Sequence, residues 1–136
     1  MAYLDWSADY SIGVEIFDNE HKGLMAILND LHAVLGSGHD RAEVERLCYR
    51  LMEHAIQHFR HEEMYFEDWA YPRRVEHANA HKNLRREIFA LQSKLLANPA
   101  QEGGQALSIF LKEWLTRHIL TDDREYGAFL REKGLR

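Results

Sequence analysis

One cysteine, Cys48, is all the thiol chemistry that this 136-residue chain possesses. It excludes an internal disulfide and any cysteine-based metal cluster held by this chain alone, and it agrees with a reducing compartment. Any metal must therefore rest on nitrogen and oxygen ligands. Long hydrophobic runs are missing too: 46% of the residues are apolar and 29% charged, but no run approaches the roughly 18 to 20 residues that span a bilayer. The opening, MAYLDWSADYSIG, lacks a basic segment followed by an apolar stretch and a small-residue cleavage site, so a cytoplasmic location is expected. A formal charge of -5, with both signs mixed along the chain, leaves no basic patch to neutralise phosphates, which argues against nucleic acid as a partner.

Proline and glycine are also scarce, at two and eight residues. They cluster between long segments with helical spacing, the pattern of an all-α protein, and the length suits one domain over residues 1–136. The first helical segment runs from about Val14 or Asp18 to Leu35, carries Leu24, Leu28, Leu31 and Leu35 on one stripe, and stops at GSG, 36–38. Asp40 and Glu43 read as a capping box for a second helix that continues to about Trp69. AYP at 70–72 breaks it, with Pro72 suited to the first turn of a third helix that runs to about Ala97. NPAQEGG, 98–104, is the clearest loop, and a fourth segment then carries Leu107, Leu111, Trp114 and Leu115 toward His118. Short connections favour antiparallel neighbours, so the expected architecture is an up-down-up-down four-helix bundle with an N-terminal arm.

What the chain has in excess is histidine. Nine are present, where about three are expected from average composition. Residues four apart on a helix differ by about 40° around its axis and share a face. His58 and Glu62 therefore share the stripe of Leu47, Leu51, Phe66 and Trp69, and His77 and His81 share that of Leu84, Ile88, Leu91 and Leu95. His21 lies with Leu24, Met25 and Leu28, and His118 follows Leu111, Trp114 and Leu115. A carboxylate such as Glu62 on an inward stripe costs several kcal/mol unless it is paired, hydrogen-bonded, protonated or bound to a cation.

A lone inward histidine is more often a hydrogen-bonded core residue than a ligand. Two i,i+4 donor pairs on apolar stripes, with an inward histidine on each remaining helix, favour a metal instead. Five imidazoles and two or three carboxylates, counting Asp122 and Asp123, are too many for one tetrahedral zinc and the wrong chemistry for calcium or magnesium. They suit two iron ions bridged by carboxylates in the core of a bundle.

The strings DNEHKGL, HFRHEE, HANAH and WLTRHILTDD, in that order, resemble the hemerythrins, specifically the single-domain bacteriohemerythrins, over nearly the whole chain. The resemblance implies a non-haem di-iron centre with an oxo or hydroxo bridge. It assigns His77, His81 and His118 to one iron and His21 and His58 to the other, with Glu62 and Asp123 bridging and the open position on the iron of His21 and His58. On a regular helix Asp122, four after His118, would share its face, whereas Asp123 is turned by about 140°. The resemblance favours Asp123, so a wide turn, a bulge or a helix end is expected there.

Glu20 stands where many hemerythrins have glutamine; it is expected off the metal face, without effect on ligation. His54, one turn before His58, is expected to be a satisfied core residue rather than a relay. His32 is too far along its helix to ligate, His39 falls in a loop, and His61 and Glu63 are expected at the surface or rim. Leu24, Met25, Phe59, Trp114, Leu115 and Ile119 are candidates to line the ligand pocket. The resemblance implies reversible dioxygen binding for storage, delivery or transport, without enzymatic turnover. The alternatives are an oxygen or redox sensor acting through a protein partner, and a di-iron enzyme reducing peroxide or nitrogen oxides.

Overall fold

The computed structural model describes residues 3–36, 41–97 and 103–135. Four long helices dominate: α1 Glu15–Gly36, α2 Arg41–Asp68, α3 Arg74–Ala97 and α4 Gly103–His118. A five-residue π turn, Ile119–Asp123, continues α4 directly into α5, Arg124–Glu132. Each long helix packs on the next and α4 returns against α1, which closes the antiparallel up-down-up-down bundle expected from the spacing. No strand occurs among the described residues, and no helix is long and apolar enough to cross a membrane.

The helices bury the stripes that their 3.6-residue period lays down. Phe17, Leu24, Leu28 and Leu31 of α1 meet Leu47, Leu51, Phe59 and Phe66 of α2, Leu84, Ile88 and Leu95 of α3, and Leu107, Leu111 and Leu115 of α4 in one core. Trp69, expected on the inward stripe of α2, lies beyond the end of that helix and is 36% exposed.

The turn after α2 is set by Ala70, which takes a left-handed φ of 51°. Tyr71 N–H donates to the Phe66 carbonyl at 2.9 Å and Ala70 N–H to that of Glu67 at 3.2 Å. These are the two bonds of a Schellman cap, with alanine where glycine is usual. The accompanying apolar contact is the Phe66–Tyr71 ring pair, 5.6 Å between centroids. Pro72 therefore sits in the connecting turn, not in the first turn of α3. Gly103 and Gly104, expected to close the preceding loop, form the start of α4. Of the expected capping box, Asp40 lies outside the described residues, as does His39; Glu43 instead pairs with Arg46 at 2.5 Å.

The N-terminal arm is tied down by side chains of α1. Asn29 both accepts from Leu4 N–H and donates to the Leu4 carbonyl, each at 2.8 Å. Asp18 accepts from Ser11 Oγ at 2.6 Å and from Ile12 N–H at 2.9 Å. The arm then lies against Gly127 of α5, where a Cβ would stand 2.7 Å from that of Ile12. Only a residue without a side chain allows the two backbones to approach this closely. The sequence stripes ended at His118, so α5, with buried Tyr126 and Leu130, is an addition to the expected four segments.

Candidate metal centre

All seven residues singled out by spacing and resemblance converge at one end of the core. His21 comes from α1, His58 and Glu62 from α2, His77 and His81 from α3, His118 from the last turn of α4 and Asp123 from the end of the π turn. Each is buried, none more than 4% exposed. The Nε2 atoms of His58 and His81 stand 3.1 and 3.3 Å from Glu62 Oε1. Asp123 Oδ1 is 2.9 Å from His77 Nε2 and 3.1 Å from His118 Nε2, and its Oδ2 is 3.1 Å from His21 Nε2. Two overlapping donor sets result, each with one ligand atom per residue within 4.8 Å of the others: Glu62, His77, His81, His118 and Asp123, and His21, His58, Glu62 and Asp123. Glu62 and Asp123 are common to both.

The π turn decides which aspartate enters. An i→i+5 turn accommodates one residue more than an α turn, so the fifth residue after His118 reaches the position that the fourth would otherwise hold. Asp123 is wholly buried among the imidazoles, while the Asp122 side chain is 45% exposed. The wide turn expected there is this π turn, and it is Asp123, not Asp122, that it brings among the buried imidazoles.

The chemistry of the donors fits a cation. Both oxygens of Glu62, both of Asp123, and both ring nitrogens of His21 and of His81 are buried without an aligned hydrogen bond. The imidazole nitrogens stand near enough to these oxygens for hydrogen bonds but at the wrong angles, so lone pairs converge where donors are needed. Buried polar atoms are normally satisfied, and a metal ion satisfies this set at once. Without metal the same groups must share protons. Burial opposes the charged form of Glu62 and Asp123, as does their mutual repulsion at Glu62, yet the imidazoles outweigh this and both carboxyls stay below their usual range. Burial likewise opposes protonation of His58 and His118; Glu62 and Glu20 around the first, and Asp123 and Asp122 around the second, nevertheless raise each to about 10.

Behind the imidazoles stands a second layer of carboxylates that spacing alone did not identify. His58 Nδ1–H donates to Glu20 Oε1 at 2.6 Å, and His61 Nδ1–H to Glu20 Oε2 at 2.6 Å. His118 Nδ1–H donates to Asp122 at 3.1 Å, and Glu63 Oε2 lies 3.4 Å from His81 Nδ1, short of aligned bonding. Glu20 is thus off the metal face as expected but is bonded to a residue on it. Glu63 and His61 are half-buried, at the rim rather than the open surface, within what was expected of them. A signal for Asp122 was present, since it is four residues after His118; for Glu20 there was only its place beside His21. His54 packs on the backbone of α1, with Nε2 3.3 Å from the Glu20 carbonyl, the packed role expected of it. His32 stacks on Tyr3, 3.6 Å between centroids, away from the cluster.

Aromatic rings fix the imidazoles from the sides. Phe59 stacks on His81 at 4.1 Å and Trp114 on His118 at 4.5 Å, while Phe66 lies 4.7 Å from His77. Phe59 and Trp114 also border a cavity completed by Leu24, Leu111, Leu115 and other core residues, with about 20 Å³ of space for the centre of a water-sized molecule. Its walls are apolar, so a water there finds no partners. Of the six expected lining residues, Leu24, Phe59, Trp114 and Leu115 line it; Met25 and Ile119 are buried but do not.

Comparison with known proteins agrees with this geometry. A model of the hemerythrin HHE cation binding domain matches residues 12–130. A bacteriohemerythrin of Methylococcus capsulatus (strain ATCC 33009 / NCIMB 11132 / Bath) is 30% identical over 131 residues, covering 96% of this chain and 98% of that protein. One of Pseudomonas aeruginosa (strain LESB58) is 29% identical over 126 residues, covering 93% and 80%. The crystal structure of a wild-type hemerythrin superimposes with a TM-score of 0.85 at 28% identity, over 95% of this chain and 98% of that one. The donor cluster, the bundle that holds it and the match across residues 12–130 establish that this chain belongs to the hemerythrin family.

Proposed function

We propose that this protein binds dioxygen reversibly at a non-haem di-iron centre, for storage, delivery or transport. The observation that carries the proposal is the pair of buried donor sets that share Glu62 and Asp123 beside a cavity with apolar walls. In this reading His77, His81 and His118 hold one iron, His21 and His58 the other, and the two carboxylates lie between. Bound ferrous irons supply the electrons that make the uptake of dioxygen reversible. The chain's own residues supply the rest. Nε2 of each histidine faces the site, Glu62 and Asp123 offset cationic charge, and the rings of Phe59 and Trp114 restrain His81 and His118. The apolar walls exclude water from around the site and so hinder side reactions.

The test is reconstitution of the purified protein with ferrous iron under argon. Two irons per chain are expected, with a charge-transfer absorption that grows on exposure to dioxygen and disappears when the gas is removed. Direct passage to a stable ferric spectrum, or no spectral change in air, refutes the carrier reading. Repeated turnover of peroxide or nitrite supports an enzyme instead, and capture of one defined protein partner in a single oxygenation state supports a sensor.

A further inference from the structure

Among the carboxylates behind the imidazoles, Glu20 is the one held at both oxygens. His58 and His61 donate to it from α2, each at 2.6 Å, while Glu20 itself comes from α1. Its side chain is 24% exposed, that of His61 27% and that of His58 only 2%. A half-buried acid thus grips the outer nitrogen of a fully buried imidazole whose other nitrogen faces Glu62 at 3.1 Å. The remaining outer contacts are weaker: 3.1 Å at His118, 3.4 Å without alignment at His81, and no partner for Nδ1 of His21.

The identity of the outer partner matters because a histidine has only one lone pair to give. Donation of Nδ1–H to an acceptor fixes the tautomer that leaves Nε2 free for a metal, and a charged acceptor makes that nitrogen a stronger donor than a neutral one does. His58 has the charged acceptor and His21 has none. From this asymmetry we propose that Glu20 is a positioning residue, which orients His58 and raises its donor strength, and that His61 anchors Glu20 for that task. The proposal rests on the reading that His21 and His58 serve one iron. It makes His58 the dominant donor to that iron, favouring its ferric state and slowing release of dioxygen.

The alternative role for this contact is only a tie between α1 and α2, so the test needs readouts that a tie does not move. Metal-free protein is titrated with Co²⁺, whose visible bands report its ligands. Wild type is expected to bind two ions. Glu20→Gln, which keeps the shape and a neutral acceptor, is expected to weaken one of the two about 10-fold and shift its bands; Glu20→Ala is expected to weaken it toward about 100-fold, the span typical of outer partners of metal-bound histidine. His61→Leu is expected to shift the same ion in the same direction by less. On the iron-loaded protein, Glu20→Gln is expected to raise the midpoint potential of one iron and speed dioxygen release, with wild-type iron content at saturation.

In metal-free protein, ¹⁵N NMR of the imidazoles is expected to show a strongly hydrogen-bonded Nδ1–H on His58, weakened in Glu20→Gln. Unchanged Co²⁺ affinity, Co²⁺ bands and potential in Glu20→Gln, accompanied by a loss of thermal stability alone, overturn the proposal in favour of the tie. Failure of wild type to bind dioxygen reversibly overturns the carrier reading instead. The Co²⁺ and NMR results still decide the role of Glu20.

Discussion

Replacing Glu62 by leucine separates a site built for a cation from a network of structural ion pairs. Glu62 is wholly buried, neither oxygen has an aligned hydrogen bond, and its nearest partners are His58 at 3.1 Å and His81 at 3.3 Å. Removing a carboxylate from water costs several kcal/mol, and its attraction to partners offsets this only when the geometry is good and the lone pairs are satisfied. Here the imidazoles keep Glu62 ionised, but its lone pairs have no aligned donor and the nearby Asp123 adds repulsion. Loss of Glu62 leaves no stranded charge, because His58 can shed its proton while keeping its bond to Glu20. Because no charge is stranded, the change compares with replacing a whole buried pair by apolar residues, which is neutral or stabilising by about 1–4 kcal/mol, and not with removing one partner from it, which costs about 3–5 kcal/mol.

Metal-free Glu62→Leu is therefore expected to be about 1–3 kcal/mol more stable than metal-free wild type. In a chain of this size that raises the melting temperature by roughly 3–5 °C for each kcal/mol. Metal reverses the order. An ion in hundredfold excess over its dissociation constant adds about 2.7 kcal/mol per site to wild type, and the variant, without a shared ligand, gains much less. Urea denaturation of chelator-treated protein, repeated with added Co²⁺, measures both. A metal-free variant less stable than wild type by more than about 1 kcal/mol, toward the roughly 3–5 kcal/mol lost on breaking a buried structural pair, refutes the reasoning.

Further consequences follow from pH and from the backbone. His58 and His118 titrate near 10 in the metal-free fold against about 6.5 unfolded, so their contribution is complete below pH 6.5 and is lost as pH rises toward 10. Metal-free stability should fall across that window, and metal-loaded protein, whose histidines are already neutral imidazoles that keep only the Nδ1 proton, should not follow. Gly127→Ala places a Cβ against the Ile12 backbone; overpacking of about 1–3 kcal/mol exceeds the helix-propensity gain of about 1 kcal/mol, and calorimetry should register a net loss. Gly23→Ala meets only the His54 ring, which can rotate away, so its melting temperature should stay near that of wild type. Ala70→Gly relieves a left-handed alanine; a penalty of about 1–2 kcal/mol removed from the fold, less about 0.4–1 kcal/mol of added unfolded-state freedom, predicts a small stabilisation in the same assay.

The stripe of candidate donors was legible because a helix repeats every 3.6 residues and a polar residue on an apolar face has to be explained. His58 with Glu62, and His77 with His81, stood out on that basis, and the bundle followed from where the stripes stop. What periodicity conceals is any contact made between helices. Glu20 lies on the polar side of α1 by its spacing, and only the packing of α1 on α2 brings it to His58 and His61. The left-handed turn at Ala70 was hidden for another reason: alanine carries no signal for it, and the cap is held by the Phe66–Tyr71 contact rather than by glycine.

The π turn joins the site to the rest of the chain. If residues 119–123 were α-helical, Asp123 would be turned by about 140° from His118, and everything after it would rotate by about 100°. That rotation would carry Tyr126 and Leu130, both buried, out of the core and pull Gly127 from its contact with Ile12. Apolar burial of two large side chains is worth roughly 1.5–3 kcal/mol each. The packing of α5 on the bundle and the arm can therefore hold a turn that a free helix would not adopt. Arg131 strengthens the same clamp by donating to the Ile12 carbonyl, and Tyr126 OH reaches the Glu62 carbonyl at 3.4 Å. Asp123 is thus delivered to the site by apolar contacts one to two turns further along the chain, which act through the register of α5, a helix that meets the other donors only through Tyr126, at the Glu62 carbonyl and the His77 ring.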